Sequence, residues 1–266
     1  MVKMNFAVIG NPIKHSLSPH IHNTFASNTN LNNFRYGKIE STKLDFRQDV
    51  DDFFNKGGIG LNVTVPFKVN AYEMCDEVDE YASSCRSVNT LTVKGNKLCG
   101  YSTDGIGFID DMHEKSIDIN DKKILIIGAG GSARSVLAAL IREKCHLNII
   151  NRSRENLETI LKMFSYNNLS EHERGNKYDL VINTTPISVT KEVIKLPKNI
   201  FAHGSVSYDL FYDNDTTHFQ KWSKDNGCAS TFDGLGMLIH QAKHSFRIWN
   251  QSSPPTIGLE NILRSL

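Results

Sequence analysis

The sequence of 266 residues contains no apolar run approaching the roughly 20 residues that a membrane-spanning helix needs. Phe6–Ile9 is too short for the apolar core of a secretion signal. Charge bias is absent as well: 30 Lys and Arg against 29 Asp and Glu leave a formal net charge of +1. No broad field therefore recruits nucleic acid or an anionic membrane, and any charged ligand must be met locally. The cysteines are few and odd in number (Cys75, Cys85, Cys99, Cys145, Cys228), with neither CxxC pairs nor zinc-like spacing to histidine. They read as reduced thiols in a cytoplasmic protein, and no metal site is expected. Repeats and low-complexity segments are missing too, which leaves an ordinary globular chain long enough for two modest domains.

What is present centres on Lys123-Ile-Leu-Ile-Ile-Gly-Ala-Gly-Gly-Ser-Ala-Arg134. A buried-strand run ends in glycines and passes directly into a helix-forming segment, the layout of a phosphate-binding turn. Gly128 allows the tight bend, Gly130 and Gly131 let backbone N–H groups approach a pyrophosphate, and the helix that starts at Ser132 favours its negative charge. The next strand, His146–Ile150, ends in Asn151-Arg-Ser-Arg154 with no acid at its tip. NAD sites usually place a carboxylate there, whereas two guanidiniums and a hydroxyl suit a 2′-phosphate. The expected cofactor is NADP; the alternative is a glycine turn that merely packs helix on strand beside a solvated arginine pair.

Period and punctuation predict strands at Asn5–Ile9, Gly58–Thr64 and Val88–Val93, with helices at Ser18–Ser27, Leu44–Asn55 and Asp76–Ser83, the first capped by Ser18 ahead of Pro19. A second series follows: helix Gly105–Lys115, strand Ile124–Ile127, helix Ser132–Lys144, strand Leu147–Ile150, helix Arg154–Phe164, and strands Tyr178–Asn183 and Val206–Tyr208. Alternation of this kind predicts a doubly wound parallel sheet. The polar stretch 165–177 reads as a surface loop, and 234–266 as two helices around Asn250–Thr256.

Four further clusters carry polar groups that suit a site. Ser16 and Ser18 close a long loop before a helix and can hold a carboxylate, although capping is the commoner role of such hydroxyls. Alternation in Gly60-Leu-Asn-Val-Thr-Val-Pro-Phe-Lys68 puts Asn62 and Thr64 on one strand face, with Lys68 just beyond the tip, where open α/β sheets gather ligands. A lone lysine is more often solvated surface. Ser87-Val-Asn-Thr90 offers an amide and a hydroxyl, or simple turn chemistry, and Asp104 sits between glycines at the inferred domain junction, as a site carboxylate or a helix cap. An enzyme that oxidises a hydroxyl needs an acid/base beside the nicotinamide, and a Lys68–Asp104 pair could supply it.

In this order the clusters resemble shikimate dehydrogenases. The resemblance runs from Ser16-Leu-Ser-Pro19 through Asn62–Lys68, Val88-Asn-Thr90, Thr103-Asp-Gly105, Gly128-Ala-Gly-Gly131, Asn151-Arg-Ser153 and Asn183-Thr-Thr-Pro186 to Asp233-Gly-Leu-Gly-Met-Leu238 with Gln241. It implies an N-terminal α/β substrate domain (1–103, with 238–266 returning to it) and a Rossmann-like NADP domain (104–237). It also implies reversible reduction of 3-dehydroshikimate to shikimate, a step of aromatic amino-acid and chorismate biosynthesis, by a monomer or homodimer. Carried onto this chain, Lys68 and Asp104 are the catalytic pair. Ser16, Ser18 and Tyr212 meet the substrate carboxylate, and Thr64, Asn89 and Gln241 its hydroxyls. Gly128, Ala129, Gly130, Gly131, Ser132, Ala133, Asn151, Arg152, Ser153, Arg154, Thr184, Gly234 and Met237 line the cofactor.

Four positions depart from the family pattern. Arg86 and Ser87 replace Gly-Ala and could shift Asn89, Ser102 replaces Asn, and Asn214 replaces proline. Ser188 replaces a glycine expected near the nicotinamide, which could lower affinity or rate. Rival readings are a broader quinate/shikimate dehydrogenase, often NAD-linked, and a silenced shikimate- and NADP-binding protein.

Overall fold

The computed structural model describes residues 4–164 and 168–266, which divide into two compact units, 1–108 with 238–266, and 109–237. The division falls inside two helices, α5 (Asp104–Glu114) and α10 (Leu235–Asn250). Asp104 therefore belongs with the first unit.

The first unit carries β1 (Met4–Gly10), α1 (Ser18–Asn28), β2 (Phe34–Glu40), α2 (Phe46–Asn55), β3 (Gly58–Val63), α3 (Lys68–Met74), β4 (Glu77–Val78), α4 (Glu80–Cys85), β5 (Thr90–Lys94), β6 (Lys97–Tyr101) and α11 (Leu259–Arg264). Its sheet has the order β2-β1-β3-β5-β6-β4; β1 pairs in parallel with β2 and β3, while β3–β5 and β5–β6 run antiparallel. The chain leaves β1 toward β2 on one side and returns to β3 on the other. The carboxyl ends of β1 and β3 thus form a switch point, where open sheets bind ligands. Phe46, Val50, Phe53 and Phe54 recur at helical spacing along α2 and pack on Ile9, Leu61 and Val63 of the sheet.

The second unit carries β7 (Lys123–Ile127), α6 (Gly131–Leu140), β8 (His146–Ile150), α7 (Arg154–Met163), β9 (Leu169–Glu171), β10 (Tyr178–Asn183), α8 (Ile187–Thr190), β11 (Phe201–Asp209), α9 (His218–Asp225) and β12 (Ser230–Asp233). All strand pairs are parallel, in the order β9-β8-β7-β10-β11-β12. Numbered from β7, that is 3-2-1-4-5-6, the order of dinucleotide-binding folds, with its switch point at the carboxyl ends of β7 and β10. Ile124–Ile127 are buried throughout, as a central strand covered on both faces requires.

Several expectations need correction. Leu17, not Ser18, is the N-cap of α1, and it provides no side-chain cap. The expected helix 76–83 lies at Glu80–Cys85 because the Asp79 carboxylate accepts from Ala82 N at 2.8 Å and fixes the start there, freeing Glu77–Val78 to pair with β6. α6 stops at Leu140, four residues short. In the expected loop 165–177, residues 165–167 lie outside the described residues, and Leu169–Glu171 forms the edge strand β9. β2, β6, β12, α3, α8 and α9 were not expected. α9 nonetheless carries a full capping box, Thr217 with Gln220, that the spacing contained. Among the described residues no helix is long and apolar enough to cross a membrane, no group of three or more His, Cys, Asp or Glu could hold a metal, and none of the five cysteines is in a disulfide.

Candidate active site

Lys68 opens α3 directly beyond the Thr64–Phe67 turn that follows β3, and Asp104 opens α5 directly after β6. Lys68 Nζ donates to Asp104 Oδ2 at 2.8 Å, with the two side chains only 12% and 7% exposed. A pair so shielded is held against water rather than screened by it. The other carboxylate oxygen, Oδ1, accepts from Asn89 Nδ2 at 2.9 Å. The same amide nitrogen faces Thr103 Oγ1 at 2.8 Å and Gln241 Oε1 at 3.2 Å. Two N–H groups thus serve three acceptors. The longest contact, to Gln241, is the one most readily given over to an incoming hydroxyl.

Asn89 is fixed in turn from its backbone and from below. Its Oδ1 accepts from Thr103 N at 2.8 Å, and its carbonyl accepts from Asn62 Nδ2 at 3.1 Å. Asn62 Nδ2 also reaches Ser245 Oγ and Thr90 Oγ1, and Asn62 Oδ1 accepts from Tyr36 OH at 2.6 Å. Tyr36, Thr103 and Ser245 were missed in the sequence. Tyr36 lies far from any polar cluster along the chain; Thr103 stood inside the Thr103-Asp-Gly105 motif, and Ser245 one helical turn beyond Gln241 on α10, a spacing that could have flagged it.

Ser16 Oγ donates to Ser18 Oγ at 3.2 Å and accepts from Ser18 N at 3.3 Å. Ser16 Oγ thus takes the first amide of α1, a capping role one residue ahead of the N-cap, while Ser18 is not itself the N-cap. Thr64 lies just past β3, half-buried, its methyl filling the space where a side chain on Gly10 would stand. Arg86 takes the left-handed C-cap of α4 at φ 48°, exposed, in the conformation a glycine would favour. Asn89 keeps its full set of partners beside it. Ser102 N donates to Asp79 Oδ1 at 3.3 Å, and Asn214 is exposed.

In the second unit Gly128 adopts φ +113°, and a Cβ there would meet Thr184 Oγ1 at 2.4 Å, so only glycine permits this turn. Thr184 Oγ1 donates to Ile127 O at 2.7 Å, which seats the Thr184–Thr185 turn on the glycine loop. α6 begins from Gly130, which has no side chain to cap it, and a Cβ on Gly130 would meet nothing within 4 Å. The first N–H groups of a helix lack intrahelical acceptors. An uncapped, open ten-residue helix start of this kind fits a pyrophosphate, and Gly131, Ser132 and Ala133 form its first turn. Gly234 sits close to a neighbouring carbonyl, Leu210 O, and Met237 is buried. Tyr212 stacks on Phe211 with ring centroids 6.0 Å apart.

The two arginines differ in a way the sequence did not show. Arg154 is engaged by Glu158 at 2.9 Å and Glu171 at 2.5 Å. Arg152 extends into solvent, its side chain 95% exposed, with Glu192 at 3.9 Å. Asn151 Nδ2 donates to Ser153 O and Ser153 caps α7, so that Arg152 stands on a fixed bend.

The family model for the shikimate dehydrogenase substrate binding domain matches residues 8–91, that for shikimate/quinate 5-dehydrogenase residues 111–198, and that for the shikimate 5′-dehydrogenase C-terminal domain residues 234–256. A shikimate dehydrogenase (NADP(+)) of Legionella pneumophila is 41% identical over 263 residues, 98% of each chain. Among solved structures, an Ael1 enzyme from Pseudomonas putida aligns with a TM-score of 0.87 at 32% identity, covering 98% of both chains. A Thermus thermophilus shikimate 5-dehydrogenase in complex with NADP(H) and shikimate aligns with a TM-score of 0.87 at 27% identity, over 98% of this chain and 99% of that one. A buried Lys–Asp pair, an open glycine turn in a 3-2-1-4-5-6 sheet and full-length similarity point one way: the chain belongs to the shikimate dehydrogenase family.

Proposed function

We propose that this chain is a cytoplasmic NADP-dependent shikimate dehydrogenase that interconverts 3-dehydroshikimate and shikimate in aromatic amino-acid (chorismate) biosynthesis. The observation that carries the chemistry is the shielded 2.8 Å contact between Lys68 and Asp104. When bound, NADPH supplies the hydride that goes to the carbonyl carbon. The Lys68 ammonium donates a hydrogen bond to the carbonyl oxygen and gives it a proton as negative charge grows there; in the oxidative direction the neutral amine takes that proton back. Asp104 keeps the ammonium aimed, and Asn89, by holding the second carboxylate oxygen, keeps Asp104 aimed. Ser16 and Ser18 would hold the substrate carboxylate, while Thr64, Asn89 and Gln241 would take its hydroxyls.

The cofactor would lie along Gly128–Ala133, with Thr184, Gly234 and Met237 near its reactive end and Asn151–Arg154 around the 2′-phosphate. Because Arg154 already holds two carboxylates, Arg152 is the arginine with capacity for that phosphate. Arg152→Ala is expected to raise the KM for NADPH by about 10- to 100-fold, the scale of a lost hydrogen bond to a charged group, and to leave NADH use nearly alone. Arg154→Ala should cost less. Equal losses of both cofactors would show that Arg152 serves the fold.

The defining assay follows absorbance of the reduced nicotinamide with shikimate or quinate and with NADP⁺ or NAD⁺. Turnover confined to shikimate and NADP⁺ supports the reading; quinate oxidation with NAD⁺ at a comparable rate gives the broader enzyme, and binding of both ligands without turnover gives a silenced protein. A single species by light scattering would settle monomer or homodimer.

A further inference from the structure

Ser188, which departs from the family's glycine, turns its hydroxyl inward to Asp209. Its side chain is buried, and its Oγ donates to Asp209 Oδ2 at 2.5 Å while accepting from Phe219 N at 3.1 Å. Asp209, fully buried at the end of β11, also accepts from Thr217 Oγ1 at 2.7 Å on Oδ2, and from Asn183 Nδ2 at 2.8 Å and Phe211 N at 3.2 Å on Oδ1. All four partners donate, and none is a cation. Burial pushes the Asp209 carboxyl up from its ordinary range, while Ser188, Thr217 and Asn183 oppose that by hydrogen bonding to the ionised form.

The consequence lies one residue further along, at the switch point. Asn183 Nδ2 donates to Asp209 at 2.8 Å and, more weakly, to Thr185 O at 3.3 Å, and the amide presents its oxygen to the turn that follows β10. Asn183 Oδ1 accepts from Thr185 Oγ1 at 2.6 Å and from Thr185 N at 3.1 Å. That turn carries Thr184, whose N and Oγ1 both donate to Ile127 O at the edge of the Gly128 loop. Flipping the Asn183 amide would set its NH2 against the Thr185 N–H and its oxygen against the Asp209 carboxylate, so Asp209 and Thr185 fix the amide from its two ends.

We propose that Asp209, with Ser188 as its local donor, is a positioning residue for NADP⁺: it locks the Asn183 amide and thereby the Thr184–Thr185 turn beside the glycine loop. This rests on the reading of unit two as the cofactor site. Ser188 is then a gain in order at this end of the site rather than an obstruction.

The test measures NADP⁺ binding by protein fluorescence, together with KM values and melting temperature, for wild type, Asp209→Asn, Ser188→Ala and Ser188→Gly. Asp209→Asn is expected to weaken NADP⁺ binding about tenfold or more, and Ser188→Ala several-fold, on the scale of one or two buried hydrogen bonds, with the loss in Kd for NADP⁺ and not in KM for shikimate. Lower melting temperatures with unchanged NADP⁺ Kd would make the cluster a fold element only and overturn the proposal. Should Asp209→Asn fail to fold, the Ser188 variants decide by the same criterion. If wild type itself binds no NADP⁺, the functional reading fails instead, and the two failures are distinct.

Discussion

Lys68→Ala is expected to lower kcat by about 10²- to 10⁴-fold, the range lost with a positioned acid/base. The effect should fall on kcat more than on the KM for NADP⁺, because Lys68 stands in the first unit, among Asp104 and Asn89, and the glycine turn stands in the second. Removing the ammonium also leaves a buried carboxylate with the Asn89 amide but without its cation, which costs stability. Melting temperature must therefore be recorded beside the rates. Asp104→Asn, nearly the same size, keeps the shape, removes the charge that holds the ammonium, and should bring a similar kcat loss. A Lys68→Ala protein that folds and turns over at the wild-type rate would dismiss the assignment of this pair.

A second large effect concerns acid stability. His22 lies fully buried on α1, stacked on Tyr36 with centroids 4.3 Å apart and tilted against Trp249 at 5.4 Å. Neither ring nitrogen has a hydrogen-bond partner. Burial pushes its pKa down from 6.5 to about 3, an effect the nearby Asn62 amide opposes only in part. The folded state therefore holds a neutral imidazole across a range in which the unfolded chain takes up a proton. Stability from this group is complete above pH 6.5 and is lost as pH falls toward about 3, at up to about 1.4 kcal/mol per pH unit. Between pH 6.5 and 5 that amounts to about 2 kcal/mol. Urea unfolding of wild type and His22→Phe at a series of pH values checks it. Both lose stability in acid through their carboxylates, but the wild-type curve should fall more steeply; parallel curves would rule out a buried neutral His22.

Much of this was legible before any fold was known, for identifiable reasons. The run Ile124–Ile127 into Gly128 carries its meaning locally, since a fully apolar strand and a residue at positive φ are both written in single positions. The resemblance brought together Lys68, Asn89, Asp104 and Gln241, which lie up to 173 residues apart along the chain and share one hydrogen-bonded cluster. What was not legible depends on partners that sequence order conceals. Arg152 and Arg154 look equivalent in Asn-Arg-Ser-Arg, and only the placement of Glu171 on an edge strand separates them. Ser188 read only as a departure that could lower affinity or rate, because the residue that receives its hydroxyl, Asp209, lies 21 positions later. The antiparallel pairing of β5 left no trace either, because alternation fixes which face a residue takes and not the direction of its neighbour.

The first unit is assembled from two separated stretches, 1–108 and 238–266, whereas the second is continuous. Ribosomes deliver a chain from its N-terminus, and domains tend to fold as units as they emerge. Residues 109–237 can close their sheet while Asn62 and Asn89 still wait for Ser245 and Gln241, which lie on α10. During synthesis the continuous second unit is thus complete in sequence before the first, which receives its final stretch last. The last residues to join the Lys68–Asp104–Asn89 cluster are thus those of α10, which makes the C-terminal helix the closing piece of the first unit.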